Sequence, residues 1–511
     1  MTSLTSFRPA AAALLLAARL AAAAPAADAI TSLPGWSGAL PSRMWSGFLS
    51  GGSDVQGGVT YAKEMWYMAA ECEQPDPSKC PVILWSNGGP GASSAYGFFT
   101  ELGPFTLSSE SLATSPPTLF RNPYSWTTLA TVVILNGPAP VGYSYCSAAG
   151  PSGSFASCGS WNDTRTAVAN EVFVRSLFAA FPEFSSRDFY LVGESYAGVY
   201  LTQLTELLLA GGATPNLRGL ALGDACMGTE VLCGPGRGGP FPSLLFRAGM
   251  ACMSLQTTDR IFSECPYALL RDGPMEAATP ACRAAVAQAD VDCPESSFGA
   301  EGYNYLDECP PDPFDAQRRA GGGALPAPPA QPSGYPCGGD GALKTWVTDA
   351  RVKAALHVAP NAAYHSGDNG AGFTYNVTFP SALPLMNRLQ TGVDGVRVLV
   401  YNGATDPGIS VIRTSNWTYD LGFPVEEAWR PWVQPNSSVV LGHVVQWQGN
   451  FHQATILGAG HMVPGFKPWP ALLMLDTWLS GAAWPRLPDT GAKEAALDEE
   501  AARRRAQLFP L

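Results

Sequence analysis

Histidine is scarce in this chain: there are five among 511 residues, and no dense His/Glu pattern surrounds them. A catalytic metal usually draws on such a donor set, so neither a metal nor another cofactor is expected. Positive charge is also short. Thirty Lys and Arg stand against 42 Asp and Glu, a net charge of −12. A nucleic-acid partner would need basic patches that this balance does not offer. Charged residues make up only 14% and hydrophobic ones 46%, the reverse of a disordered chain. Past the N-terminus no window approaches the roughly 20 apolar residues of a membrane span, so no membrane anchor is expected.

The N-terminus itself carries Arg8, an apolar stretch from Ala10 to Ala18, and small residues from Ala21 to Ala29. It reads as a secretory leader cleaved among those alanines, and Arg19 interrupts it as an anchor. Twelve cysteines, an even number, fit an oxidising route. Four Asn-x-Ser/Thr sequons, at Asn162, Asn376, Asn416 and Asn436, point the same way. The expected destination is the secretory pathway, with vacuole or lysosome and the exterior both open.

Residues 30–80 read as an antiparallel entry, with short strands at Met44–Leu49 and Glu64–Met68. Cys72 and Cys80 flank a Pro-rich turn and suit a local disulfide. Val82–Trp85, Thr131–Leu135 and Phe189–Val192 are continuous apolar runs, as in strands buried on both faces of a parallel sheet, and Leu217–Leu222 and Val396–Tyr401 read as further strands. Thr455–Leu457 reads as the last strand. Between strands the period changes. Val174, Leu177, Phe178 and Phe181 mark one face of a helix that Asp163 or Thr164 can cap. Further helices are expected near Asp349–His357 and Trp469–Leu479. Strands alternating with helices give an α/β sheet. From about 226 to 340 the character shifts: eight of the twelve cysteines lie there, with Gly234-Pro235-Gly236 and a Gly/Ala/Pro stretch from Gly321 to Pro332. This reads as an inserted, disulfide-braced lobe. The division is therefore a leader over 1–29, a core over 30–225 and 341–486, the lobe over 226–340, and a charged tail over 487–511.

Gly193-Glu194-Ser195-Tyr196-Ala197-Gly198 follows one of those strands and precedes a helical run from Val199 to Leu209. Strand, sharp turn and helix are the setting that a G-x-S-x-G nucleophile elbow requires. Ser195 then needs a base. His461 lies in a Gly-rich loop after a strand, His452 is its rival, and His357 reads as packed. The imidazole needs an acid to fix its tautomer. Asp406 lies just past a strand end, while Asp394 and Asp420 look like solvated loop acids. The order Ser195, Asp406, His461 is that of α/β-hydrolases. An oxyanion hole would draw one N–H from Tyr196 and another from the loop Asn87–Gly91.

Several motifs in register now resemble one family. They are Trp85–Ser94, Glu101-Leu102-Gly103-Pro104, Asn122–Trp126, Pro140–Tyr145, Gly193–Gly198, Tyr401-Asn402-Gly403 with Asp406, and Gly460–Pro464. The chain is similar to the serine carboxypeptidases over most of residues 33–480. The resemblance implies an α/β-hydrolase fold with a mixed, mostly parallel sheet flanked by helices and an inserted cap lobe. It implies Ser195, Asp406 and His461 as catalytic triad, with Gly89 and Tyr196 as oxyanion hole. It also implies Asn87, Glu101 and Glu194 as the clamp for a substrate's C-terminal carboxylate. Two glutamates facing an anion make sense if one keeps a proton, because close carboxyls do not both ionise readily.

The expected activity is release of single C-terminal amino acids from peptide or protein chains through an acyl-enzyme, favoured at acidic pH. The same resemblance leaves two alternatives, an acyltransferase and a secreted protective or binding protein. Acyltransferase relatives often carry Asp where Glu194 stands. The chain departs from the family pattern at Ala92, Ala404 and Ile409. Cys is usual at the first and last of these positions, and Asp is common at the second. Nothing in the sequence specifies oligomeric state.

Overall fold

The computed structural model describes residues 24–488 apart from 212–215, 234–238, 295–301, 308, 310–336, 368, 369 and 371. Most of the leader, the tail from 489, Gly234-Pro235-Gly236 and the stretch from Gly321 to Pro332 lie outside the described residues.

Six parallel strands form the centre of a twelve-stranded sheet. In spatial order they are Thr131–Leu135, Val82–Ser86, Phe189–Glu194, Leu217–Gly223, Arg397–Gly403 and Phe451–Ile456. Their side chains alternate between two hydrophobic layers. Leu84, Val133, Leu191, Leu222 and Val400 enter one; Ile83, Val132, Val192, Ala221 and Leu399 enter the other. This is why the sequence shows apolar runs without a polar face. The helices Asp163–Ala180 and Ala197–Ala210 bury Phe173, Leu177, Leu201 and Leu204 in the first layer. The helix Pro468–Ser480 buries Met474, Leu475 and Trp478 in the second. Antiparallel strands extend both edges, Val59–Ala70 and Met44–Gln56 on one side, Val440–Trp447 and Val425–Val433 on the other.

Between Gly239 and Cys293, four helices enclose a small core of their own, including Leu244, Met253, Ile261, Leu270 and Ala285. Cys252–Cys293 and Cys265–Cys282 staple it. The other disulfides are Cys72–Cys80, as expected, with Cys146–Cys158, Cys226–Cys233 and Cys309–Cys337. No helix among the described residues is long and apolar enough to cross a membrane.

Several local expectations need correction. The helix expected near Asp349–His357 is two helices, Gly339–Thr348 and Ala350–Ala355. His357 lies beyond them, with φ 56° and Nδ1 bonded to Ser46 O at 3.0 Å. The helix from Asp163 is capped by Asn162, whose side chain accepts from Arg165 N–H at 2.8 Å. Asp163 is needed elsewhere. The last strand runs Phe451–Ile456, and the antiparallel pair before it was not expected at all.

Parallel strands all end at the same edge of a sheet, which is where ligands bind in open α/β folds. Asn87, Ser195, Asp406 and His461 all follow C-terminal strand ends here.

Candidate active site

Ser195 sits one residue past its strand with φ 62°, a left-handed conformation unusual for serine. Three backbone bonds hold it there. Its N–H donates to Gly223 O at 2.9 Å, and its carbonyl accepts from Gly198 N–H at 3.0 Å and Cys226 N–H at 2.9 Å. Such strain persists only where the surroundings over-determine it. Gly198 is required because a Cβ there would stand 2.2 Å from Cys226 O.

Asn87, Gly88, Gly89, Glu194, Ser195, Tyr303, His461 and Met462 share the wall of one cavity of about 230 Å³. His461 is 6% exposed and Asp406 1%. Their side chains meet with His461 Nδ1 2.7 Å from Asp406 Oδ2. Asp406 Oδ1 accepts from Gly408 N–H at 2.8 Å and Ile409 N–H at 3.1 Å. Both carboxylate oxygens are thus fixed, and the ring's Nε2 is left as the nitrogen able to exchange a proton. Tyr303, from the segment after the helical lobe, adds a lid: its carbonyl accepts from His461 N–H at 2.8 Å and its ring lies 5.1 Å from the imidazole at 29°. Thr405 Oγ1 donates to Asn304 Oδ1 at 2.6 Å, tying that segment to the loop of Asp406. The sequence reading missed Tyr303 and Asn304, since no motif surrounds them.

The other histidines are elsewhere. His452 lies on the strand Phe451–Ile456, accepts from Trp484 Nε1 at 3.3 Å, and is pushed down to about 4 by burial and by Arg397. Asp394 pairs with Arg388 at 2.7 Å, and Asp420 is exposed at a helix end.

The loop Asn87–Gly91 lies directly on the elbow. A Cβ on Gly88 would stand 2.3 Å from Tyr196 N and 2.9 Å from Ser195 Cβ. Only glycine permits that approach, and it brings the Tyr196 amide beside the loop that contains Gly89. Tyr196 also occupies the N-cap of the helix Ala197–Ala210. The positive end of a helix dipole therefore falls where a developing anion would gain from it.

The third component is acidic. Asn87 Nδ2 donates to Glu194 Oε1 at 2.7 Å. The amide cannot flip, because its oxygen accepts from Trp85 Nε1 at 2.7 Å and Gly97 N–H at 3.2 Å. Glu101 and Glu194 are 3% and 4% exposed. Beyond Asn87 and the two carboxyls themselves, no group among the described residues serves Glu101 Oε1, Glu101 Oε2 or Glu194 Oε2. Two ionised carboxylates so placed would be untenable; a proton held between them removes the conflict. Burial pushes Glu101 up to about 8 against a weaker opposing pull from His461. Burial and then the charge of Glu101 hold Glu194 well above the usual range.

The model of the family described as "Serine carboxypeptidase" matches residues 34–481. The chain belongs to the serine carboxypeptidase family. Serine carboxypeptidase 1 of Hordeum vulgare is 30% identical, over 90% of this chain and 94% of that protein. Serine carboxypeptidase-like 20 of Arabidopsis thaliana is 28% identical over the same shares. Among solved structures, a prohormone-processing carboxypeptidase from Saccharomyces cerevisiae, Kex1(delta)p, superposes with a TM-score of 0.62. It is 19% identical and covers 86% of this chain and 92% of that one. That likeness speaks for the α/β-hydrolase fold. This serine carboxypeptidase is thus an enzyme of the serine-type peptide hydrolases, with peptides as its class of substrate. Its six disulfides accord with a secretory route.

The departures from the family pattern have local consequences. Every cysteine is paired without a partner at Ala92, so no disulfide tethers that loop at this position. The Ala404 N–H donates to Ile456 O at 2.9 Å, holding the acid's loop to the neighbouring strand. Of the sequon residues, Asn376, Asn416 and Asn436 are exposed and Asn162 is half-buried. Asn162 and Asn376 stand opposite each other in a two-residue parallel ladder.

Proposed function

We propose that this protein removes single amino acids from peptide C-termini through an acyl-enzyme at acidic pH, with Ser195, His461 and Asp406 as the catalytic triad. One observation carries the reading: Glu194 and Asn87 line the same cavity as Ser195 and His461, and the buried Glu101 is coupled to Glu194 from behind that wall. An endopeptidase or simple esterase has no use for a proton-bearing carboxyl pair beside its nucleophile. A terminal carboxylate does, because the protonated member and the Asn87 amide can both donate to it.

Ser195 Oγ attacks the last peptide carbonyl while His461 Nε2 takes its proton. The negative oxygen is met by the N–H groups of Gly89 and Tyr196. The C–N bond breaks, His461 returns the proton to the leaving nitrogen, and the free amino acid departs. Water then repeats the cycle on the ester and regenerates Ser195. Asp406 holds the imidazolium throughout. The clamp tracks pH through its protons: substrate binds tightly while the pair is protonated, and KM rises as pH climbs through about 8 and Glu101 gives up its proton. A clamp that keeps its protons below about 8 is competent in an acidic vacuolar or lysosomal compartment and outside the cell, and the leader suits the secretory route to either.

A pH-resolved digest of a mixed peptide library, with Ser195→Ala as control, tests this. Free single amino acids from C-termini, most abundant at acidic pH and absent with Ser195→Ala, are expected. Internal cleavage products, acyl transfer from a sugar ester without peptide hydrolysis, or activity surviving in Ser195→Ala would overturn it.

A further inference from the structure

Behind the acid that holds His461 stands a second acid. Asp224 follows the strand Leu217–Gly223, has φ 39°, and is 0% exposed. Its N–H donates to Tyr401 O at 2.8 Å, which fixes the backbone. One side of its carboxyl accepts from Asn402 Nδ2 at 3.1 Å and from Gly403 N–H at 3.1 Å to each oxygen. The other side meets the catalytic acid. An oxygen of Asp224, an oxygen of Asp406 and a ring nitrogen of His461 all lie within 4.8 Å of one another.

The groups facing this cluster are few. Tyr401 comes from the neighbouring strand and Glu194 from the elbow strand. Arg413, on the helix Val411–Asp420, acts on Asp406. Asp406 already accepts from Gly408, Ile409 and His461. It is therefore the better supplied with donors of the two acids. Two buried carboxylates this close do not both ionise readily.

We propose that Asp224 carries a proton and donates it to Asp406, which makes it a positioning residue for the acid that orients His461. The inference rests on the triad reading above. Burial and the charge of Asp406 both act to keep that proton in place, holding Asp224 well above the usual carboxyl range. Asp224 Oδ1 takes the Asn402 amide and shares the Gly403 N–H with Oδ2, which leaves Oδ2 the less supplied oxygen and the one free to carry an O–H toward Asp406. The enzyme then contains two proton-holding carboxyl pairs with separate readouts. Glu101–Glu194 governs KM, whereas Asp224–Asp406 governs kcat.

The test measures kcat and KM from pH 4 to 9 on the full-length protein, using an N-blocked dipeptide, for Asp224→Asn and Asp224→Leu. The amide of Asn can donate to Asp406 and accept from Asn402 and Gly403. Asp224→Asn should therefore keep kcat within about threefold at pH 5, whereas Asp224→Leu should lose roughly 10- to 100-fold, as when a hydrogen bond to a charged group is removed. KM should move less than about twofold in either. In the parent enzyme kcat should fall at alkaline pH as Asp224 loses its proton, and Asp224→Asn should lack that fall. Should Asp224→Leu fail to fold, the kcat profile of Asp224→Asn decides alone. An unchanged alkaline fall, a loss in Asp224→Asn as large as in Asp224→Leu, or inactivation of the parent enzyme by a chelator, which would mean an ion bridging the acids, overturns the inference. Ser195→Ala, run alongside, separates the two claims: activity surviving there defeats the triad reading itself.

Discussion

Tyr196 works at both ends. Its N–H lies against the Gly88 loop, and its hydroxyl donates to Asp163 Oδ1 at 2.7 Å. Asp163 is 2% exposed and also accepts from Tyr375 Oη at 2.8 Å, from Phe379 N–H at 2.8 Å and from Thr378 N–H. One carboxyl thus ties the elbow to the segment that follows Tyr375. In Tyr196→Phe the remaining donors still satisfy Asp163, so stability should fall by only about 1 kcal/mol. The amide of residue 196 loses its anchor, so kcat should fall several-fold more than KM rises; denaturant titration and steady-state kinetics check the two parts. The sequence could not reveal this use of Asp163. Asn162, Asp163 and Thr164 are all good capping residues, and only the fold decides that Asn162 caps while Asp163 turns inward. The residues of the proposed triad are a different case. Each follows a strand end in a Gly-rich setting, and that context is readable without coordinates.

At the scale of elements, legibility followed burial. The central strands are enclosed on both faces, so their apolar runs stand out. The edge strands Val425–Val433 and Val440–Trp447 are harder, because the first carries Glu426, Glu427, Arg430 and Pro431 and reads as loop. Pro is tolerated there because the strand is at the sheet edge. The helical lobe was legible as a disulfide-braced insert but not as helices, since its elements are short and its own core small. Its staples make a prediction. Replacing Cys265 and Cys282 by Ala should destabilise the lobe by about 3 kcal/mol. Hydrogen exchange should rise across residues 241–292, with little change in the strand Phe189–Glu194.

For the molecule as a whole, the buried acids set how stability responds to pH. Glu101, Glu194 and Asp224 all have folded pKa values raised above those of the unfolded chain. Above about pH 4 the unfolded chain releases these protons while the fold keeps them, so stability falls as pH rises toward about 8. His452 opposes this, because its folded value is lowered to about 4. Its contribution grows with pH only up to its unfolded value of about 6.5. Between about pH 6.5 and 8 the acids therefore dominate, and Tm should drop on the order of several °C. Calorimetry should show a flatter profile in Glu101→Gln. None of this could be read from composition, since net charge does not report which acids are buried together.

Recognition of a chain end is tested most directly by one matched pair of substrates, an N-blocked dipeptide with a free carboxyl terminus and the same dipeptide as its C-terminal amide. At pH 5 the free acid should be cleaved with kcat/KM at least about 100-fold above the amide, the loss expected when charge-assisted hydrogen bonds are removed. That preference should shrink as pH passes about 8 and Glu101 loses its proton. Equal cleavage of acid and amide at pH 5 would contradict the role given to Asn87, Glu101 and Glu194, and with it the exopeptidase reading.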